Sequence, residues 1–132
     1  MTPLEQLKEL RTEINAVAKE KGFWPPAGRN FGEILMLVTS ELSEALEAHR
    51  SDKWANRIQY RLEASEAPAF HEKAIAKQAF EKHIKNTVED EIADAVIRLL
   101  DLATGLDIDL EWHIIAKLQY NKSREHKHGK AY

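Results

Sequence analysis

Residues 30–50 read NFGEILMLVTSELSEALEAHR, and the fold is decided in this stretch. Asn30 followed by Glu33 has the spacing of a helix-start pair, a capping amide with an acid three residues on. At about 100° per residue, with Ile34 as zero, Leu37, Val38, Leu42, Ala45 and Leu46 fill an arc from roughly −60° to +120°. That one-sided apolar stripe predicts an amphipathic helix running to about Arg50. Two acids break the pattern: Glu41 falls at roughly −20°, inside the arc, and Glu44 at roughly −80°, on its edge. A carboxylate turned into a core is costly unless something positive meets it. A lone acid can swing out to solvent or pair with an Arg. Two unpaired acids one turn apart also repel each other, and a divalent cation removes both costs, with hard Mg²⁺ suited to such oxygen ligands.

The rest of the chain reads as helix as well. It has 132 residues, one domain's worth, with 43% apolar and 31% charged residues, a balance that supports a packed core. Only five Gly and four Pro interrupt it. A first helix is expected over about Pro3 to Lys21, capped by Thr2 and ended by Gly22, with Leu4, Leu7, Ile14, Val17 and Ala18 on one arc. Ser51 to Lys85 offers Trp54, Ile58 and Leu62, a break at Pro68, then Phe70, Ala74, Phe80 and Ile84, which predicts two shorter amphipathic helices. Thr87 opens a strong helix to about Thr104, stopped by Gly105, and Asp107 or Asp109 caps a last one to about Arg124. Residues 125–132 read as a frayed tail. No period-2 alternation, repeat or low-complexity tract is present, so the class is an all-α bundle in a single domain, 1–132.

Composition narrows function. The net charge of −3 argues against a binder of nucleic-acid polymers working by bulk electrostatics. No cysteine is present, which excludes disulfides, Cys-rich zinc sites and thiol nucleophiles and fits a reducing cytoplasm. No segment approaches the roughly 18 apolar residues of a membrane span, and Glu5, Lys8 and Glu9 make the first turns unlike a signal peptide.

The helix opened by Thr87 repeats the acidic spacing with Glu91 and Asp94. With Val88 as zero, its stripe is Val88, Ile92, Ala95, Val96, Leu99 and Ala103; Glu91 lies near −60°, beside Leu102, and Asp94 near −120°, on the polar side with Asp90, Arg98 and Asp101, angles that rest on about 100° per residue. Taken alone this pair reads as a solvated acidic face. In the last helix Lys117, Asn121 and Arg124 fall within about 40° of Leu110, in line with Ile114. Snorkelling at a bundle end is the plain reading. An anion clamp is the functional one, with Lys as a mobile charge, Arg as a fixed fork and Asn as a neutral donor.

Glu41-Leu-Ser-Glu44, then Glu91-Ile-Ala-Asp94, then Lys117, Asn121 and Arg124, in that order, resembles the MazG-like all-α nucleoside triphosphate pyrophosphohydrolases, whose signature is E-x-x-E, a spacer and E-x-x-D. Gly22-Phe23-Trp24 together with Ser40 to Glu47 looks like the phage and bacterial branch. The resemblance covers roughly two thirds of the chain. Positions 45–90 form a longer spacer than compact members have, which makes 51–85 a helical insertion. The resemblance implies that Glu41, Glu44, Glu91 and Asp94 bind Mg²⁺ (or Mn²⁺), and that Glu41 or Glu44 also orients the attacking water. It further implies that Lys117, Asn121 and Arg124 meet phosphate or sugar oxygens, while Trp24 or Trp54 stacks on the base. The products would be a nucleoside monophosphate and pyrophosphate, as in the sanitising of a nucleotide pool, and the assembly a homodimer or a dimer of dimers. A rival reading is a non-catalytic helical regulatory dimer whose acids are solvated or paired with Arg. A carboxylate-bridged di-iron bundle fits poorly, because the Glu-x-x-His it needs occurs as Glu125 and His128, in the tail beside Gly129.

Overall fold

The computed structural model describes residues 1–66 and 68–132, the side chains of Phe70 and His128 excepted. The expectations that placed Phe70 on an amphipathic face and set His128 beside Glu125 therefore lie outside the described residues. Among the described residues the chain is all-helical: α1 (Pro3–Glu20), α2 (Phe31–Arg50), α3 (Arg57–Ser65), α4 (Glu72–His83), α5 (Val88–Gly105) and α6 (Leu110–Lys122). Short 3₁₀ turns lie at Ala69–His71, next to Pro68, and at His126–Gly129, in the tail expected to fray. No helix is long and apolar enough to cross a membrane among these residues.

Local chemistry sets the helix ends. Thr2 and Glu5 form a reciprocal capping box: the Thr2 hydroxyl accepts from the Glu5 N–H and the Glu5 carboxylate accepts from the Thr2 N–H. Asn30 caps α2 by accepting from the Glu33 N–H, and Asp109, rather than Asp107, caps α6 by accepting from the Trp112 N–H. After α1, Gly22 takes φ +86°, its N–H donates to Lys19 O and the Phe23 N–H to Ala18 O, the paired bonds of a Schellman ending. The same two bonds close α2 at Asp52 and α5 at Asp107, both with positive φ. Gly105 thus does not supply the left-handed turn that stops α5. It leaves room for an indole: a Cβ there would lie 2.1 Å from Trp24 Cη2.

The chain divides into two compact units, Met1–Arg29 with Leu100–Tyr132, and Asn30–Leu99. The first is organised by buried polar groups. Arg11 on α1 grips Glu111 on α6 with two bonds, Nε to Oε1 at 2.6 Å and Nη2 to Oε2 at 3.0 Å, and its Nη1 reaches the Thr104 hydroxyl. Asp101 accepts from Asn15 Nδ2 at 2.8 Å and from Trp24 Nε1 at 3.0 Å, with Arg29 Nη1 at 3.5 Å. In the second unit α3 and α4, the two shorter helices expected over Ser51–Lys85, pair as a hairpin. Glu63 Oε1 lies 2.9 Å from His83 Nε2 and 3.5 Å from Lys82 Nζ across that hairpin.

The apolar stripes are wider than what one chain buries. On α2, Ile34, Val38, Glu41 and Ala48 are buried, while Leu42 and Leu46 are exposed. On α5 the inner face is rotated from the expected stripe towards the acids: Val88, Glu91, Ala95 and Leu102 are buried, and Ile92, Val96 and Leu99 are about half exposed. Asp101, expected on a solvated flank, is buried as well. On α1, Leu4 and Val17 are exposed, and Arg11 and Asn15 hold the innermost positions.

Asp101→Asn replaces a carboxylate that accepts from two donors and pairs with Arg29, so it should destabilise the fold by about 1–3 kcal/mol. Gly105→Ala should be similarly costly, because the indole must move. Glu47→Gln, at an exposed position, should leave the urea midpoint unchanged. A midpoint for Asp101→Asn equal to the wild type would contradict the network.

Candidate metal centre

α2 and α5 turn their acids inward. Glu41 and Glu91 are 8% and 5% exposed, and Asp94 is half-buried. One carboxylate oxygen from each of Glu41, Glu91 and Asp94 lies within 4.8 Å of the others. The E-x-x-D pair, expected partly on a polar side, thus faces the first acid of the E-x-x-E pair. Glu44 is exposed, and its carboxyl still acts on both Glu41 and Glu91.

The electrostatics are unbalanced. Burial pushes the Glu41 carboxyl up, but the hydrogen bond and the charge of Arg98 hold it below the ordinary range. Arg98 Nε lies 2.8 Å from Glu41 Oε1. Glu91 receives no such help: burial, then the neighbouring Glu41 and Glu44, push it up to about 7. Burial also raises Asp94, and Asp90 and Glu41 add to the shift against the pull of Arg98. Neither Glu91 nor Asp94 has an ion-pair partner among the described residues. A set of carboxylate oxygens without nitrogen or sulfur suits Mg²⁺ or Mn²⁺ rather than a softer ion. One divalent cation could be held between these three carboxylates, and its charge would offset theirs.

The remaining candidates fall elsewhere. Lys117 and Asn121 belong to the first unit and line an open cavity of about 380 Å³ on α6 with His113, Ile114 and Leu118. Their face is not the core-facing line expected for α6, since Ile114 is exposed and buried Glu111 marks the inner side. Asn121 Oδ1 is buried without a hydrogen-bond partner among the described residues. Lys117 Nζ and Arg124 Cζ stand 5.0 and 5.4 Å from the Tyr120 ring centre. Trp24 donates to Asp101, packs on Gly105 and lies under Arg29 at 5.0 Å. Trp54, in the second unit, donates from Nε1 to Asp52 Oδ1 at 2.9 Å and keeps 52% of its surface open.

Arg98, placed by the sequence on the polar flank with Asp90 and Asp101 and given no role there, is the cation that pairs with Glu41. The signal was there: at roughly −80° on the α5 projection it lies between Glu91 and Asp94. No family model matches the chain, and comparison with curated proteins and with solved structures gives no match.

The raised acids have a thermodynamic signature. Folded Glu91 retains a proton that the unfolded chain releases above about pH 4.5, so stability falls as pH climbs from there towards 7. Asp94 acts in the same direction. Glu41, held low, loses its contribution only when pH drops below the ordinary carboxylate range. The melting temperature of metal-free protein should drop by several degrees between pH 5 and 8, on the order expected for a shift of one to three kcal/mol, and Glu91→Gln should flatten that slope. A flat wild-type profile would contradict the unbalanced cluster.

Proposed function

We propose that the protein is a MazG-like, Mg²⁺-dependent nucleoside triphosphate pyrophosphohydrolase, with Mn²⁺ able to replace Mg²⁺. The observation that carries this reading is the convergence of Glu41, Glu91 and Asp94 within 4.8 Å with one guanidinium set against them. The order of the acidic motifs, matching the family signature, supports it. Glu41, Glu44, Glu91 and Asp94 would hold the metal. When bound, the ion would offset phosphate charge and lower the pKa of a coordinated water.

The chain's own side chains supply the rest. Whichever of Glu41 and Glu44 is not saturated by metal accepts the proton of the water that attacks the α-phosphorus. Arg98 holds one Glu41 oxygen and so fixes the orientation of that carboxylate. Lys117, Asn121 and Arg124 would meet phosphate or sugar oxygens, with the Asn121 amide nitrogen as a neutral donor. Of the two indoles offered for base stacking, Trp54 has the more open ring, and it lines a cavity that none of the four acids borders. Pyrophosphate and a nucleoside monophosphate leave.

A homodimer, alone or doubled, accounts for the outward apolar halves of α2 and α5. Leu42, Leu46, Ile92, Val96 and Leu99 each leave 45–53% of their surface open, more than isolated surface apolar residues require. Val96→Lys should convert the assembly to monomer in sedimentation. The rival, a regulatory dimer without chemistry, draws on the Arg98–Glu41 bond, which neutralises one acid without metal. It requires that Mg²⁺ has no effect on the protein.

Pyrophosphate release from a nucleotide panel separates the two. Glu41→Gln should lower turnover by about a hundredfold or more, since it removes a charged ligand, while Glu47→Gln leaves it intact. Lys117→Met should raise KM with an unchanged melting temperature, as expected for a contact equal in ground and transition states. Wild-type turnover in Glu41→Gln, or no release from any triphosphate, would overturn the assignment.

A further inference from the structure

The insertion carries a cavity that the metal chemistry does not use. It measures about 580 Å³ and is lined by Trp54, Ala55, Asn56, Arg57, Ile58 and Arg61, a size within the usual range for small-molecule sites. None of the four candidate metal ligands borders it. Arg57 and Arg61 stand one turn apart on α3 and therefore share a face. Neither makes an ion pair among the described residues, whereas Arg11, Arg98 and Lys82 all do. The charge is concentrated here: residues 50–61 hold Arg50, Lys53, Arg57 and Arg61 against Asp52 alone, in a chain of net charge −3.

The walls of this cavity are held before any ligand arrives. Trp54 is oriented by its bond to Asp52 and by an edge contact with His49 at 5.7 Å. The Ala55 N–H donates to the Glu89 carboxylate and the Asn56 N–H to His83 O. Lys53 O accepts from the Val88 N–H. An exposed indole face next to two unpaired guanidinium groups offers stacking for a planar ring and paired donors for phosphate oxygens. The first turn of α3 also presents the positive end of its dipole to the same space, since Asn56, Arg57 and Ile58 line it.

We infer that this cavity is a nucleotide-class binding site, separate from the metal centre and independent of metal, in which Trp54 stacks on the base and Arg57 and Arg61 hold the phosphate. It does not depend on the hydrolase assignment. The probe is AMP, titrated into the full-length protein in EDTA and followed by calorimetry, with adenosine and inorganic phosphate as separate arms. AMP is expected to bind at least tenfold more tightly than either fragment. Arg57→Ala/Arg61→Ala and Trp54→Ala should each weaken AMP at least tenfold while Mn²⁺ affinity and the melting temperature stay at wild-type values. Glu41→Gln should leave AMP binding unchanged. Absence of AMP binding in EDTA, its survival in the double arginine variant, or its loss in Glu41→Gln would overturn the site. Loss of triphosphate hydrolysis alone would bear on the metal centre and not on this cavity.

Discussion

Burying a carboxylate without a full set of partners is the constraint on which the second unit depends. Glu91 is 5% exposed and faces Glu41 and Asp94 with no ion-pair partner of its own among the described residues. The other buried acids are treated differently. Glu111 has a two-bond grip from Arg11, and Asp101 has Asn15, Trp24 and Arg29. The same chain thus satisfies its acids fully in one place and leaves them short of positive charge in another. Unpaired buried charge is costly, and either a proton retained on Glu91 or the proposed cation would relieve it.

That deficit also sets how α5 lies. To bring Glu91 and Asp94 opposite Glu41, α5 presents its acidic flank to the inside and leaves Ile92, Val96 and Leu99 facing out. α2 does likewise with Leu42 and Leu46. The proposed metal and the proposed second copy are therefore two consequences of one rotation: the acids occupy the inner surface that a monomeric bundle would give to its aliphatic residues.

Much of the fold was legible in the sequence because caps and breaks are local. Thr2, Asn30 with Glu33, Asp107 or Asp109, Gly22 and the Pro68 break all carry their meaning within a few residues, and the helices fall where these signals put them. The inner face of each helix was less legible. Periodicity shows where the apolar arc lies but not which half of it a single chain covers, so Leu42, Val96 and Ile114 were expected inside and are exposed. Long-range polar pairing was silent for a related reason: Arg11 and Glu111 are a hundred positions apart, and nothing local links them. For the candidate site, the spacing of Glu41, Glu44, Glu91 and Asp94 picked out the acids, and Arg98 could have been found by the same projection. The aromatic candidates could not be ranked from sequence, because the close approach of Trp24 to Gly105 and the open ring of Trp54 are tertiary facts.

If the acids form a metal seat, the proton held by Glu91 must leave when the ion arrives. Calorimetric titration of Mn²⁺ into metal-free protein at pH 7, repeated in buffers of different ionisation enthalpy, measures that proton directly. With Glu91 raised to about 7, release of on the order of half a proton per ion is expected, and Glu91→Gln should abolish it. No heat of binding, or binding that releases no proton, would contradict the metal seat.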